Sequence, residues 1–214
     1  MATDPVPAPP PNCPRCPRLS ALRDDLRHEY PHWHNAPVPS FGDLDAGLLV
    51  IGLAPGRAGA NRTGRPFTGD AAGKVLYPAL IRHGFAVGTY AEKSDDGLRL
   101  TNCRISNAVR CLPPGNKPVG AEVNACRSYL KAEIEAMPSL KVILALGRVA
   151  HESTVKALRY RQETVLFSHG VFHDLLTLTL ADSYHCSRYN INTGRLTETM
   201  FNQVLTDISR RFFF

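Results

Sequence analysis

Three stretches of the chain concentrate the residue types that do chemistry. The first, GLAPGRAGANRTGRPFTGD from Gly52 to Asp70, carries five glycines and three arginines. Glycines let a backbone approach a ligand closely and take up turns with positive φ. The stretch matches neither the GxGxxG nor the GxxxxGKS/T nucleotide fingerprint, and a long surface turn is its plain structural reading. The second set is cysteine, as CPRC at 13 and 16 followed by Cys111 and Cys126. That spacing fits a structural zinc, a four-thiolate iron–sulfur cluster or buried free thiols. Cys103 and Cys186 fall outside the pattern. The third stretch, ADSYHCSRYNINTGRL, delivers His185 from a strand end into a polar turn that holds Arg188 and Asn190. A histidine N–H there could stabilise charge building on a ligand oxygen, whereas a lone loop histidine is often merely solvated.

The elements that must position these residues follow from the hydrophobic pattern. GLLVIGLA, KVILALG (141–147) and much of HDLLTLTLAD (173–182) are continuous apolar runs of strand length, and LRLTNCRISNAV (98–109) reads as a fourth strand. Runs without in/out alternation point to strands covered on both faces. Helical spacing spans 17–33 and recurs at about 71–84, 121–137, 147–159 and 195–212. Alternating strands and helices predict an α/β fold, a three-layer α/β/α sandwich around a central, mainly parallel, four-stranded sheet. Ligands of such sheets sit at the carboxyl ends of the strands, where the glycine-rich loop begins. The length of 214 residues suits one domain. Residues 1–12 carry five prolines and few large apolar side chains, which predicts a disordered tail ahead of a single domain over 13–214.

The balance of 25 Lys and Arg against 19 Asp and Glu gives a net charge of +6, which suits a polyanionic partner without demanding one. No apolar run approaches the roughly 20 residues that cross a bilayer, and the first residues lack a signal-peptide pattern. A cytosolic, monomeric protein with no membrane partner is expected, and in a reducing compartment the six cysteines are not read as disulfides.

Taken together, CPRCPRL, GLAPGRAGANRTGRPFTGD, NAVRCLPPGNKP, NACRSYL and YHCSRYNINTGRLT resemble the uracil-DNA glycosylase superfamily, most closely its family 5. The resemblance implies a [4Fe-4S] cluster on Cys13, Cys16, Cys111 and Cys126, with a structural role in tying the amino-terminal segment to the domain. It implies a partner, DNA containing uracil or another deaminated base, and a reaction, hydrolysis of the N-glycosidic bond to leave an abasic site. Such an enzyme must flip the base out of the duplex and stabilise a base leaving as an anion beside an oxocarbenium-like sugar.

Site roles follow from that resemblance and the chemistry of each side chain. The first motif, with Gly52 and Ala54, would hold the flipped base and its sugar, and Phe67 would offer it an aromatic face. Asn107 carries the donor and acceptor that match the polar edge of uracil. His185 would hydrogen-bond the leaving base's carbonyl oxygen, while Arg188 and Asn190 would contact the backbone or fill the vacated space. Leu53 and Ala54 can position no water, which makes Asp70 the carboxylate expected to do so. Its alternative is to cap the following helix. Two further classes compete: a non-catalytic iron–sulfur protein that binds DNA or transfers electrons, and a zinc-stapled hydrolase of small nucleotides.

Overall fold

A computed structural model describes residues 8–213. The centres of the apolar runs form strands buried at every residue, over 48–52, 142–146 and 179–183. β1 (Leu48–Gly52) sends Leu48 and Val50 into one core layer and Leu49 and Ile51 into the other, the alternation that a strand's period of two imposes. α1 (Pro17–Glu29) precedes it, and the short α2 (Ala60–Thr63) and then α3 (Gly73–Arg82) follow. A two-stranded ribbon, β2 (Ala86–Val87) with β3 (Arg99–Leu100), leads into β4 (Cys103–Asn107). The order continues with α4 (Gly120–Glu135), β5 (Val142–Leu146), α5 (Arg148–Ala157), β6 (Phe172–Asp174), β7 (Thr179–Ser183), α6 (Arg188–Asn192) and α7 (Glu198–Phe212).

The main sheet runs β4-β1-β5-β7-β6, with the first four strands parallel and β6 antiparallel to β7. One face buries Leu76 and Leu80 of α3 with Phe201, Val204 and Ile208 of α7. The other buries Leu130 and Ile134 of α4 with Ala150 and Val155 of α5. This is the expected three-layer sandwich, with five strands in its sheet rather than four. The fifth arises because 173–182 folds as a hairpin: the Leu175 N–H donates to the Leu178 carbonyl at 2.9 Å and Leu176 is 95 % exposed. The run 98–109 likewise divides, because Asn102 takes a left-handed φ of 49°, a conformation asparagine tolerates better than most residues.

Residues 1–7 of the expected tail lie outside the described residues. Pro11 and Asn12 are held by Arg27, whose guanidinium donates to the Pro11 carbonyl at 3.0 Å and to Asn12 Oδ1 at 2.8 Å. The Cys13 N–H donates to the Pro10 carbonyl at 2.9 Å. The Pro-rich segment is thus tied to α1 at Pro11 and Asn12. No helix among the described residues is long and apolar enough to cross a membrane.

Candidate active site

The carboxyl ends of β1 and β4 lie side by side, with Gly52 in register opposite Asn107. A Cβ on Gly52 would lie 2.4 Å from Asn107 Oδ1 and 2.5 Å from Phe67 Cζ. Only glycine therefore lets the amide and the aromatic ring converge there. Pairing continues past the strands, as Ala108 and Val109 N–H donate to the Gly52 and Leu53 carbonyls at 2.9 and 3.0 Å. Above this floor opens a cavity lined by Leu53, Ala54, Phe67, Asp70, His185 and Arg188. A second cavity shares Leu53 and His185 as walls and extends along Arg148, Tyr184, Asn190 and Arg195.

Phe67 is held in an uncommon shape. Its φ is +53°, a region that costs a bulky L residue of order 1–3 kcal/mol. The surrounding contacts fix it there. Its carbonyl accepts from the Tyr90 hydroxyl at 3.1 Å, and the neighbouring Pro66 carbonyl accepts from Tyr77 at 2.5 Å. The Phe67 carbonyl also occupies the space where a Cβ on residue 73 would sit, so Gly73 is required. The ring is 6 % exposed and stacks on His185 at 5.9 Å between centroids, with 29° between planes.

Arg65 anchors the same loop from below. Its guanidinium grips Asp96 with two bonds of 2.8 Å, donates to Thr68 Oγ1 at 2.8 Å and lies under the rings of Phe41 and Tyr77. The side chains of Arg65 and Asp96 are only 5 % and 1 % exposed. Arg65 is thus committed to the fold, and sequence reading missed this because the partner lies 31 residues away. Arg57 and Arg62 are likewise engaged, with Glu29 and the Ala58 carbonyl.

Asp70 serves two neighbours. Oδ1 accepts from the Gly73 N–H at 2.9 Å at the start of α3, while Oδ2 faces Gly56 and Gly59 and the carboxyl lines the cavity. Burial raises its pKa above the ordinary aspartate value, although backbone N–H groups of Gly73 and Ala72 partly oppose the rise. His185 follows β7. Its Nδ1 is buried without a hydrogen-bond partner, and burial pushes its pKa down to about 4. The imidazole is neutral at pH 7 and still has a proton to donate.

The structure brings Gly52, Ala54, Phe67, Asp70, Asn107, His185 and Arg188 to one place. Asn190 is turned differently: its Nδ2 donates to the His185 carbonyl at 2.8 Å, and its N–H donates to Ser187 Oγ at 3.3 Å at the start of α6. It positions the histidine and walls the second cavity. Tyr189, which sequence reading passed over, is 71 % exposed beside Arg188.

The four expected ligands gather elsewhere. Cys13, Cys16, Cys111 and Cys126 line one small cavity between the amino-terminal segment and α4. Burial pushes the Cys111 thiol up to about 12, with Cys126, Cys13 and Cys16 adding to the shift. The Arg110 N–H donates to Cys126 Sγ at 3.4 Å, and the Cys13 carbonyl accepts from Ser20 and Arg23, both at 3.0 Å. Cys103 and Cys186 are buried outside this group. Among the described residues, the donor side chains whose ligand atoms all lie within 4.8 Å of one another are His151, His173 and Asp182. Those three are joined by direct hydrogen bonds of 2.8 and 3.1 Å.

Parallel strands ending on a cavity walled by an aromatic ring and a neutral imidazole, with arginine at its rim, define an α/β protein suited to a flat polar ring on an anionic backbone. Residues 39–209 match the model of the uracil DNA glycosylase superfamily, and the chain belongs to that superfamily. It is 44 % identical over 206 residues to a type-5 uracil-DNA glycosylase of Thermus thermophilus, covering 92 % of this chain and 93 % of the relative. Similar proteins include the type-5 enzymes of Pyrobaculum aerophilum (40 % identical, 91 % and 86 % covered) and Mycobacterium bovis (38 %, 92 % and 77 %).

Proposed function

We propose that the protein is a DNA repair glycosylase that extrudes uracil, or another deaminated base, and hydrolyses its N-glycosidic bond. The observation that carries this reading is the convergence of Phe67, Asp70 and a neutral His185 on one cavity above the Gly52–Asn107 floor. Phe67 offers a ring face for stacking, and the Asn107 amide can meet both a carbonyl and an N–H on the edge of a pyrimidine.

In the reaction the bond from C1′ to the base nitrogen breaks and its electron pair leaves with the base. Negative charge then spreads to the base's carbonyl oxygens, where a hydrogen bond from His185 strengthens as the charge grows. Because the imidazole is already neutral, this bond needs no proton transfer. Ionised Asp70 favours the positive sugar and orients a water, whose oxygen joins C1′ while its proton passes to the carboxylate or solvent. Arg188, which lines the cavity, and the exposed Tyr189 next to it in the chain would enter the gap left in the duplex, as exposed wedge residues do. The test is incubation with a duplex holding one uracil, then alkaline cleavage of abasic sites. Intact strands after prolonged incubation would refute the reading.

The four-thiol cavity is read as the site of a [4Fe-4S] cluster on Cys13, Cys16, Cys111 and Cys126. The thiol donor set suits soft metals. A single zinc with bonds of about 2.3 Å would draw its sulfurs to about 3.8 Å from one another. A cluster binding each thiolate to a different iron holds them wider apart. Bound there, it would cross-link the amino-terminal segment to α4 and to the strand end that carries Asn107. Brown protein with about four iron atoms per chain is expected, with the colour lost in Cys111→Ala and kept in Cys103→Ala. Colourless protein with stoichiometric zinc would overturn it.

A further inference from the structure

Beyond the cavities already described, a cleft opens between α4 and α5. It is lined by Gly120, Asn124 and Arg127 from the α4 side and by Val149, Ser153 and Lys156 from α5. Two polar groups in it lack partners: Ser153 Oγ and Arg127 Nε are buried and make no hydrogen bond among the described residues. Ser153 lines the cleft and is 1 % exposed, and its hydroxyl has no partner among the described residues. Arg127 has one side-chain bond, from Nη2 to Asn124 Oδ1 at 2.5 Å, and no ion pair among the described residues. A buried donor left unmade costs about 1–3 kcal/mol. Two such donors in one cleft, beside the lysine, mark a place built for an acceptor.

The cleft also adjoins the cavities of the active site. Val149 is a wall of both this cleft and the cavity along Arg148, Tyr184 and Arg195, and that cavity shares Leu53 and His185 with the base cavity. The three cavities are thus neighbours, linked through shared wall residues at the start of α5. From Arg148 to Lys156 a helix rises about 12 Å, the axial rise of three to four nucleotide steps of a duplex at about 3.4 Å each. The cleft holds two cations, Arg127 and Lys156, against one carboxylate, Glu152. A surplus of one positive charge suits a singly charged phosphodiester better than a free polyphosphate.

We propose that the cleft between α4 and α5 is a phosphodiester subsite, in which Arg127, Lys156 and the Ser153 hydroxyl hold one backbone phosphate of the bound DNA a few nucleotides from the extruded base. This rests on the reading of DNA as substrate. The site would fix the register of the strand along the groove, since a guanidinium and a hydroxyl recognise a phosphate's position and carry no sequence information.

The test is a scan in which neutral methylphosphonates replace the phosphates of an abasic-site duplex one at a time, with binding measured to the full chain. In the unmodified protein one position two to four nucleotides from the abasic site should weaken binding about tenfold. In Arg127→Gln/Lys156→Gln that position should become indifferent, and the slope of log K against log salt should shrink by about 0.9. Ser153→Ala, which removes a hydroxyl and adds no volume, should weaken the same position by a smaller factor. Thermal unfolding of each variant confirms that it is folded. If no position loses its sensitivity in the double variant, or if Ser153→Ala alters a different position or none, the subsite does not exist. Uracil release by the unmodified chain is read separately. An active enzyme with an unchanged scan refutes the subsite alone, and an inactive chain with the expected scan refutes the glycosylase reading alone.

Discussion

Gly52→Ala is the substitution that most directly probes the floor of the site. The added methyl would lie 2.4 Å from Asn107 Oδ1 and 2.5 Å from Phe67 Cζ, where ordinary contact begins at 3.4 Å, so each group must withdraw by about 1 Å. Neither can do so freely. Asn107 ends a buried strand in parallel register with β1, and Phe67 is fixed through its own carbonyl by Tyr90 and by the close approach to Gly73. Forcing extra volume into such a place costs about 1–3 kcal/mol, and for a chain of this length each kcal/mol lowers Tm by about 2–4 °C. The functional loss should be larger than the stability loss, because a displacement of about 1 Å at a reacting centre costs roughly 10²-fold in rate. Single-turnover release of uracil and thermal unfolding on the same preparation decide the matter. A variant with the parent's rate and the parent's Tm would show that Asn107 and Phe67 do not form the base's seat.

Asp70→Asn separates catalysis from capping: Asn caps a helix about as well as Asp, so stability should hold while the single-turnover rate drops roughly 10²-fold. Because burial raises the folded-state pKa of Asp70, its ionisation weakens the fold as pH rises, so Asp70→Asn should be at least as stable at pH 7. The unmodified enzyme's rate should fall on acidification in a range above ordinary aspartate titration, a dependence the variant lacks. For His185 the folded pKa of about 4 lies below the ordinary 6.5, so its contribution to stability is present above pH 6.5 and is lost as pH falls towards 4. Tm against pH for the parent and His185→Asn should diverge across that window; parallel curves would refute the burial. Arg65→Met leaves the Asp96 carboxylate buried and unpaired and should cost about 3–5 kcal/mol, whereas adding Asp96→Ala should restore much of it. Urea unfolding measures both, and additive losses would count against the pair.

What could be read from the sequence was whatever local pattern encodes. The apolar runs 48–52 and 142–146 announced strands buried on both faces, and the helices over 73–82, 120–135, 148–157 and 198–212 matched their periodicity to within a few residues. The turn at 175–178 was hidden because leucines occupy positions where Gly, Asn or Pro would have marked it. At the site, Phe67, Asp70, Asn107 and His185 were legible as chemistry carried by motifs. The reason Gly52 must be glycine was not, since it depends on which residue β4 places opposite. Asn190, assigned to the ligand, also donates to the His185 carbonyl, a bond that depends on the course of one short helix. Ser153 and Arg127 had no signal at all, because an unsatisfied donor is a property of surroundings that only folding assembles.

The ties that hold Phe67 bear on when the site comes into being. Its loop is fastened by Arg65 to Asp96 and by its carbonyl to the Tyr90 hydroxyl, both in the segment between β2 and β3. The loop's own backbone, left-handed at both Phe67 and Gly69, favours other shapes when those ties are unmade. During folding, the sheet and its flanking helices can form from local runs and their crossovers, while the aromatic seat must wait for a segment more than twenty residues downstream to dock. On this reading activity is acquired no earlier than that docking. Refolding followed by base release should lag refolding followed by helical signal, and a transient loosening of the 88–98 connection would switch off the enzyme without unfolding it.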